Sequence, residues 1–150
     1  MASRVKRLVV WLLAAVIATW FIGQAQPFGL SLDFPITQLL GGLLVGAGII
    51  LMALAAMEMR KQRTTIVPHK EADSLVTSGI FKRTRNPIYL GDAAILAGLA
   101  LRWDAVLALF LVPIFIWIIE KRFIIPEENM LRRKFRADFA HYEQKTRRWV

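Results

Sequence analysis

The sequence predicts an all-α integral membrane protein with four transmembrane helices, a short hairpin of helices three and four, and a C-terminal amphipathic cytoplasmic helix. The first reason is composition, since 56% of the 150 residues are hydrophobic and mean hydropathy is +0.46. The second is charge, because nearly all the basic residues lie in segments that would be on the same side of a membrane if the four apolar runs crossed it. At this length we expect a single domain.

The first two apolar runs, Leu8–Gly23 and Leu39–Met57, are long enough to predict spanning helices. We place these helices at 8–23 and 39–58. The basic N-terminal start and the small residues near Gly23 also fit a cleaved signal peptide, an alternative that the later membrane runs disfavour.

The third and fourth runs, Ile88–Leu101 and Ala105–Ile119, are separated by three residues, enough for a tight helical hairpin. We place the helices at 87–102 and 104–125. The third run measures roughly 21 Å against a hydrocarbon core of about 30 Å. The hairpin therefore either thins the bilayer locally or packs at a slant against the first two helices.

Small residues four apart predict close helix packing in two places. One pair is Gly42 and Gly46 in the second helix, and the other is Ala94 and Gly98 in the third. We assign these residues a packing role only.

The basic residues predict the orientation. Three precede the first helix, none lies between helices one and two, seven lie between helices two and three, and nine follow Ile119, so that Arg102 alone lies on the other side. By the positive-inside rule both termini and the loop 59–86 are cytoplasmic. This distribution accounts for the net charge of +9 without a nucleic-acid partner.

Polar residues concentrate in the loop 59–86 and after Glu120, so a functional site is expected there. Asn86 is placed to cap the third helix and Pro87 to be its first residue. A helix N-terminus beside Arg85 would bind a carboxylate or a phosphate. The alternative is a plain helix cap with an arginine at the membrane interface.

Two adjacent carboxylates, Glu127 and Glu128, follow the fourth run directly. They would pair with nearby arginines, receive a cation or sugar hydroxyls, or stabilise the start of a helix. We predict this helix at 126–145, with an apolar stripe among basic residues that lies on the inner leaflet or caps the bundle. The stripe consists of Leu131, Phe135, Phe139 and Tyr142.

Several functional classes are excluded. The chain has no cysteine, which removes disulfides, cysteine zinc sites, iron–sulfur clusters and a cysteine nucleophile. No Gly-x-Gly-x-x-Gly, Walker loop, nucleophile elbow or His-Glu-x-x-His occurs. His69 and His141 are the only histidines, and we predict no metal site.

Three segments in a fixed order resemble the integral-membrane methyltransferases, the family that includes isoprenylcysteine carboxyl methyltransferase and the phospholipid methyltransferases. The resemblance covers roughly residues 60–150. Its segments are Leu75–Phe81 (LVTSGIF), Arg85–Gly91 (RNPIYLG), and Glu127–Leu131 (EENML) continuing through Phe135 and Tyr142 to Arg148 and Trp149.

The resemblance implies a cytoplasmic site for S-adenosylmethionine. Arg85 and the start of helix three would take its carboxylate, while Glu127 or Glu128 would accept hydrogen bonds from its ribose or ammonium. Phe81 and Tyr89 would stack on adenine or face the sulfonium. The cofactor-binding positions implied are Asp73, Ser74, Leu75, Val76, Phe81, Arg85, Asn86, Pro87, Tyr89, Glu127 and Glu128.

The resemblance also implies methyl transfer to a lipophilic or small membrane-accessible acceptor, such as an isoprenylcysteine-like carboxylate, a lipid amine or a thiol. Candidate catalytic residues are His69, Arg85 and Tyr89, with His69 either a base or a hydrogen-bonded interfacial residue. The chain departs from the isoprenylcysteine enzymes at Asp73, Phe81, Asn86 and Phe123. Membrane lipids are the expected partners. Thr65, Pro68 and His69 resemble a bacterial branch of the family, which implies a bacterial inner membrane.

Two other classes remain open. One is a non-catalytic membrane partner that retains the fold. The other is a small four-helix transporter, which is expected to carry an ionisable residue inside a spanning helix. We interpret the first three apolar runs as free of such residues, which counts against transport.

Overall fold

The computed structural model describes residues 2–25, 29, 31, 34–62 and 75–150, and every regular element in this part of the chain is helical. The all-α prediction is therefore confirmed for these residues. The elements in order are α1 (Ala2–Ala25), α2 (Pro35–Lys61), a 3-10 turn (Gly79–Lys82), α3 (Pro87–Arg102), a second 3-10 turn (Val106–Phe110), α4 (Leu111–Ile119), a π-helical turn (Glu120–Ile124), α5 (Ile125–Phe135) and α6 (Ala137–Lys145).

Two of these helices are long and apolar enough to cross a bilayer. They are α1 over Lys6–Ala25, with a hydropathy of 2.0, and α2 over Pro35–Lys61, with 2.4. Both leave large apolar side chains exposed, as at Phe21 and Ile36. A core helix of a soluble protein would bury such residues, so α1 and α2 are candidate membrane spans. The observed helices also extend beyond the predicted 8–23 and 39–58.

Four spanning helices are not confirmed, because α3 has 16 residues and α4 only nine. The helix predicted at 104–125 is divided into a 3-10 turn, α4 and the π-helical turn. Two prolines explain the division. Pro113 fits only the first turn of α4, and Pro126 leaves the carbonyl of Arg122 without its α-helical donor.

The α1 helix packs against the core instead of standing apart. Leu8, Leu12 and Val16 contact a cluster contributed by α3, α4 and the π-helical turn. The buried members of that cluster are Tyr89, Leu96, Phe115, Ile119, Phe123 and Ile124. Gly23, near the end of α1, approaches the backbone of Trp103 so closely that an added Cβ would lie 2.6 Å from its carbonyl oxygen.

Glycines on α2 and α3 bring the two backbones into direct contact. Gly41 faces Gly98 and Gly48 faces Gly91, and a Cβ at any of the four would lie 2.6 to 2.8 Å from the facing carbonyl oxygen. These glycines are seven residues apart on each helix, so they share one face. We call this contact the glycine seam.

The glycine seam corrects the predicted packing pair in α2. Among the described residues, no atom lies within 4 Å of a Cβ built at Gly46, and the one neighbour within that distance at Gly42 is the Arg102 guanidinium. Of the four small residues singled out from the sequence, Gly98 is in the seam. The Gly42 and Gly46 pair lies on another face of α2.

We expect Gly48→Ala to lower the free energy of unfolding by about 1–3 kcal/mol, the usual cost of overpacking. Its methyl group would lie 2.6 Å from the Gly91 carbonyl oxygen and 2.7 Å from Ile95 Cγ1. Gly46→Ala is the matched control, because it adds the same group to the same helix in open space. Thermal unfolding in detergent measures both, and equal stability of the two variants would contradict the seam.

The predicted helix at 126–145 is broken at Arg136 into α5 and α6. Arg136 has a φ of 44°, a left-handed conformation that ends a helix. The break lets Phe139 and Tyr142 pack with Phe81 and Val76, while Leu131 and Phe135 flank the same cluster. The apolar stripe thus caps the bundle instead of lying on the leaflet, which was the other alternative.

Candidate functional site

A pocket of about 570 Å³ opens where the end of α2, the segment 75–86, α5 and α6 meet. We call it the α3–α5 pocket. Its walls are mostly apolar with a few charged and polar groups, and the residues are Met59, Leu75, Val76, Phe81, Arg85, Asn86, Ile124, Glu127, Glu128, Leu131, Phe139 and Tyr142.

The aromatic wall is fixed by one buried hydrogen bond. The Tyr142 hydroxyl donates to the Phe81 carbonyl oxygen at 2.6 Å, which ties α6 to the 3-10 turn. Burial raises the pKa of Tyr142 above its usual range, so the group stays a neutral donor. The Phe139 ring packs edge-on against Tyr142. Together these contacts give a rigid apolar surface on one side of the pocket.

The start of α3 is held by the C-terminal tail. Asn86 occupies the N-cap position and Pro87 begins the helix, but the Asn86 side chain makes no cap hydrogen bond. Its Nδ2 donates instead to the Arg148 carbonyl oxygen at 3.0 Å. The Arg85 backbone N–H donates to the Arg147 carbonyl oxygen, also at 3.0 Å. The predicted helix start is present, and its stabilisation comes from the tail.

Arg85 presents unsatisfied donors to the pocket. Within the described part of the chain, its Nε and Nη1 are buried and have no hydrogen-bond partner. Nη1 lies 3.4 Å from a carboxylate oxygen of both Glu128 and Glu143. These are ion pairs, but neither carboxylate forms a hydrogen bond with Nη1. Buried donors without a partner are costly in a native protein. This makes Arg85 the clearest point of attachment for an anionic group.

Glu128 is a structural ion-pair centre. Its oxygens accept hydrogen bonds from Arg148 Nε at 3.0 Å and Nη2 at 2.9 Å, and from Arg132 Nη2 at 3.4 Å. Arg148 also donates to Glu120 at 2.9 Å, and Trp149 Nε1 donates to the same carboxylate at 3.0 Å. The side chain of Glu128 is only 5% exposed. Its charge is therefore compensated by arginines before any ligand arrives.

We expect Arg148→Met to lower the free energy of unfolding by about 1–3 kcal/mol, because it removes charged hydrogen bonds to a buried carboxylate. Arg147→Met is the control, since the Arg147 side chain is exposed. Thermal unfolding in detergent is the measurement. Equal loss in both variants would mean that general charge, and not the ion pair with Glu128, stabilises the tail.

Glu127 differs from its neighbour because no arginine pairs with it among the described residues. It accepts a hydrogen bond from the Tyr89 hydroxyl at 3.0 Å. Removal of the carboxylate from water, reinforced by the nearby charge of Glu128, raises the pKa of Glu127 to about 7, although the Tyr89 hydrogen bond acts in the opposite direction. The pocket thus contains a carboxyl group that changes charge near neutral pH.

The structure brings together most of the residues predicted for cofactor binding. Leu75, Val76, Phe81, Arg85, Asn86, Glu127 and Glu128 line the pocket. Tyr89 contacts it through Glu127, and Pro87 is buried at the start of α3. The predicted residues His69, Asp73 and Ser74 lie outside the described part of the chain.

Sequence reasoning did not assign five pocket residues, namely Met59, Ile124, Leu131, Phe139 and Tyr142. Three of them belong to the apolar stripe of the C-terminal segment. The stripe was a sufficient signal that this face is covered, but its helical spacing does not reveal that the chain turns at Arg136.

Sequence reasoning also missed a buried acid in α3. Asp92 lies within the third apolar run and is only 3% exposed, on the same helix face as Tyr89 and Leu96. Among the described residues it has no hydrogen-bond or ion-pair partner. The case against a transporter therefore does not extend to this run, although a single acid does not form a transport path.

These features define a helical membrane protein with a small-molecule pocket at one end of the bundle. The chain belongs to the phospholipid methyltransferase family, whose model, described as Phospholipid methyltransferase, matches residues 36–138. Comparison with curated proteins and with solved structures gives no match. Family membership confirms the resemblance read from the sequence. It indicates methyltransferase activity on a membrane-associated substrate.

Proposed function

We propose that the protein transfers a methyl group from S-adenosylmethionine, bound in the α3–α5 pocket, to an acceptor held in the membrane. The observation that carries this proposal is the convergence of Arg85 and Glu127 on one apolar pocket. Arg85 offers two unsatisfied donors, and Glu127 offers a carboxylate without an arginine partner. A zwitterionic amino-acid group attached to a flat apolar base matches this pair of charges.

The lining residues fit the parts of this cofactor. Arg85 would hold the carboxylate, and Glu127 would accept hydrogen bonds from the ammonium or the ribose hydroxyls. The rings of Phe81 and Phe139, with Leu75, would cover the adenine. Glu128 would not bind the cofactor directly, because its oxygens already accept hydrogen bonds from Arg148 and Arg132.

The bound cofactor supplies an electrophilic methyl group on a sulfonium. The protein itself positions the cofactor and excludes water from the pocket. Tyr142 and Phe139 fix the apolar wall, the tail fixes Arg85 through its backbone, and the acidic start of α5 fixes the polar end. Proximity and desolvation are together sufficient for a displacement that needs no covalent protein intermediate. His69 stays a candidate base.

The orientation supports a cytoplasmic site. In the sequence, nineteen of the twenty basic residues precede the first apolar run, lie between the second and third, or follow the fourth, and by the positive-inside rule this supports cytoplasmic termini. Exposed apolar residues on α4, such as Ile114 and Trp117, favour contact of the hairpin with lipid. A bacterial inner membrane suits this arrangement.

The family points to a lipid acceptor, and a lipid amine agrees with it best. An isoprenylcysteine-like carboxylate is less well supported, because Phe123 stands where those relatives carry an arginine and is itself buried in the core. A thiol acceptor stays an alternative. A non-catalytic partner would lack cofactor binding, which separates it from the enzyme in the same experiment.

The direct test is cofactor binding followed by methyl transfer. Detergent-purified protein is titrated with S-adenosylmethionine by calorimetry, then placed in vesicles of defined lipids with cofactor labelled on its methyl group. We expect saturable binding and label in the lipid fraction. Folded protein that binds no cofactor at millimolar concentration would overturn the proposal, whereas binding without transfer to any lipid would overturn only the lipid acceptor.

Cofactor affinity should depend on pH through Glu127. The pKa of the Glu127 carboxyl is higher in the native protein than in the unfolded chain. Its contribution to the free energy of unfolding is therefore present below pH 4.5 and is lost as the pH rises through about 7. Binding of an ammonium requires the ionised form. We therefore expect affinity to rise about tenfold from pH 6 to pH 8. Calorimetry across this range checks it, and an equal rise in Glu127→Gln would contradict the assignment.

A further inference from the structure

A second groove lies at the other side of the segment 123–127 from the α3–α5 pocket. It has an empty volume of about 560 Å³ and is formed by α1, the π-helical turn and the start of α5. Its lining residues are Arg7, Trp11, Arg122, Phe123 and Pro126. We call it the α1–α5 groove. Arg7 and Trp11 precede the residues matched by the family model, so the family match does not account for this groove.

Adjacent residues of one segment line the two sites. Phe123 and Ile124 are both buried although they are adjacent. Phe123 lines the groove and Ile124 the pocket, and in the same way Pro126 lines the groove while Glu127 lines the pocket. The segment is therefore a thin wall with a different ligand environment on each side.

The groove is positively charged and contains no acid among its described lining residues. Arg122 is exposed and makes no ion pair within the described part of the chain, in contrast to Arg85, Arg132 and Arg148, which all pair with glutamates. Arg7 supplies a second guanidinium from α1. Two guanidinium groups facing one groove match the oxygens of a phosphate, because each presents several donors in a fixed plane.

The surroundings of the groove fit a lipid better than a free ion. Trp11 is 36% exposed and lies one turn of α1 beyond Arg7, and the exposed apolar face of α1 next to it includes Val10 and Leu13. Tryptophan is enriched at the depth of lipid headgroups, and basic pockets between membrane helices bind anionic headgroups. A headgroup at the arginines would leave its acyl chains along this face of α1.

We propose that the α1–α5 groove binds the phosphate of an anionic phospholipid, with Arg7 and Arg122 as its ligands and Trp11 and Phe123 as its apolar walls. An anionic lipid is favoured over a zwitterionic one because the described lining residues offer two guanidinium groups and no carboxylate that would compensate a headgroup ammonium. This site is independent of methyl transfer. A failure of cofactor binding in the α3–α5 pocket would leave it untouched.

The test uses the full chain in nanodiscs that contain phosphatidylcholine and phosphatidylglycerol. Native mass spectrometry of the released protein measures the ratio of the two lipids retained. We expect the preference for phosphatidylglycerol to fall about tenfold in Arg7→Gln/Arg122→Gln, since each basic residue near the surface contributes measurably to anionic lipid binding. Arg122→Lys should retain part of the preference because it keeps the charge.

The control is Arg133→Gln/Arg147→Gln, which removes the same charge from exposed side chains of the same polar side. It should keep the preference. Equal losses in the two double variants would overturn a defined site in favour of general charge, and no loss in either would overturn it altogether. Inorganic phosphate alone is added to detergent-purified protein in a separate titration. Saturable binding that depends on Arg7 and Arg122 without lipid would overturn the lipid assignment.

Discussion

Replacing Arg85 with methionine is expected to weaken S-adenosylmethionine binding by about 10- to 100-fold, the effect of losing a hydrogen-bonded charge pair of about 1.5–3 kcal/mol. The reason is that Arg85 has two buried donors without a hydrogen-bond partner in the described part of the chain, and the cofactor carboxylate would satisfy them. Calorimetric titration of detergent-purified protein measures the change.

A decarboxylated form of the cofactor makes this prediction specific. Native protein should bind it much more weakly than S-adenosylmethionine, whereas Arg85→Met should bind the two about equally. A general loss of structure would weaken both ligands and leave their ratio unchanged. Arg83→Met is the control, because Arg83 is exposed and two residues away. If Arg85→Met still discriminates between the two ligands, the carboxylate is held elsewhere.

Glu127→Gln is expected to reduce methyl transfer and cofactor affinity by at least about tenfold, because an amide cannot compensate the positive charge of an ammonium. The protein itself should remain folded, since the Tyr89 hydroxyl can still donate to the amide oxygen. Thermal stability at neutral pH should be equal to or higher than that of the native protein. Transfer of a labelled methyl group and calorimetry measure the two quantities.

Asp138→Asn is the control for Glu127→Gln, because it neutralises an exposed acid in α6 that does not line the α3–α5 pocket. It should bind the cofactor as the native protein does. Glu128→Gln should behave differently from both, with its main effect on stability, since Glu128 is the shared partner of Arg148 and Arg132. An unchanged affinity in Glu127→Gln would leave Glu127 without a role in binding.

The elements were predictable where local chemistry decides them. The apolar runs predicted α1 and α2, and the Asn86 and Pro87 pair predicted the start of α3. The break at Arg136 was not predictable, because the apolar spacing from Leu131 to Tyr142 suits one continuous helix and only packing against Phe81 and Val76 selects the bent form. The glycine seam depends on the relative rotation of two helices, which spacing within one helix cannot specify.

The pocket was partly predictable for a similar reason. Resemblance to the methyltransferases drew attention to Arg85 and to the two adjacent glutamates, yet it could not assign different roles to them. The difference arises from the tail, which delivers Arg148 to Glu128 and leaves Glu127 with Tyr89 alone. Contacts that join residues so far apart in the chain have no local signature.

Asp92 shows that a polar residue inside an apolar run is easily overlooked when the run is read as a whole. A buried carboxylate that has no partner among the described residues is costly in a low-dielectric surrounding. We therefore expect Asp92 to have a functional role. Its position on the Tyr89 face of α3 places it next to the groups that bear on the α3–α5 pocket.

The glycine seam also restricts how a hydrophobic molecule can approach the bundle. With the backbones of α2 and α3 in van der Waals contact at Gly41 and Gly98 and again at Gly48 and Gly91, no acyl chain can slip between these helices. Entry from the bilayer is therefore directional. A lipid that approaches the α3–α5 pocket must therefore travel along another helix boundary, and the face of α1 that leads to Arg7 offers such a route.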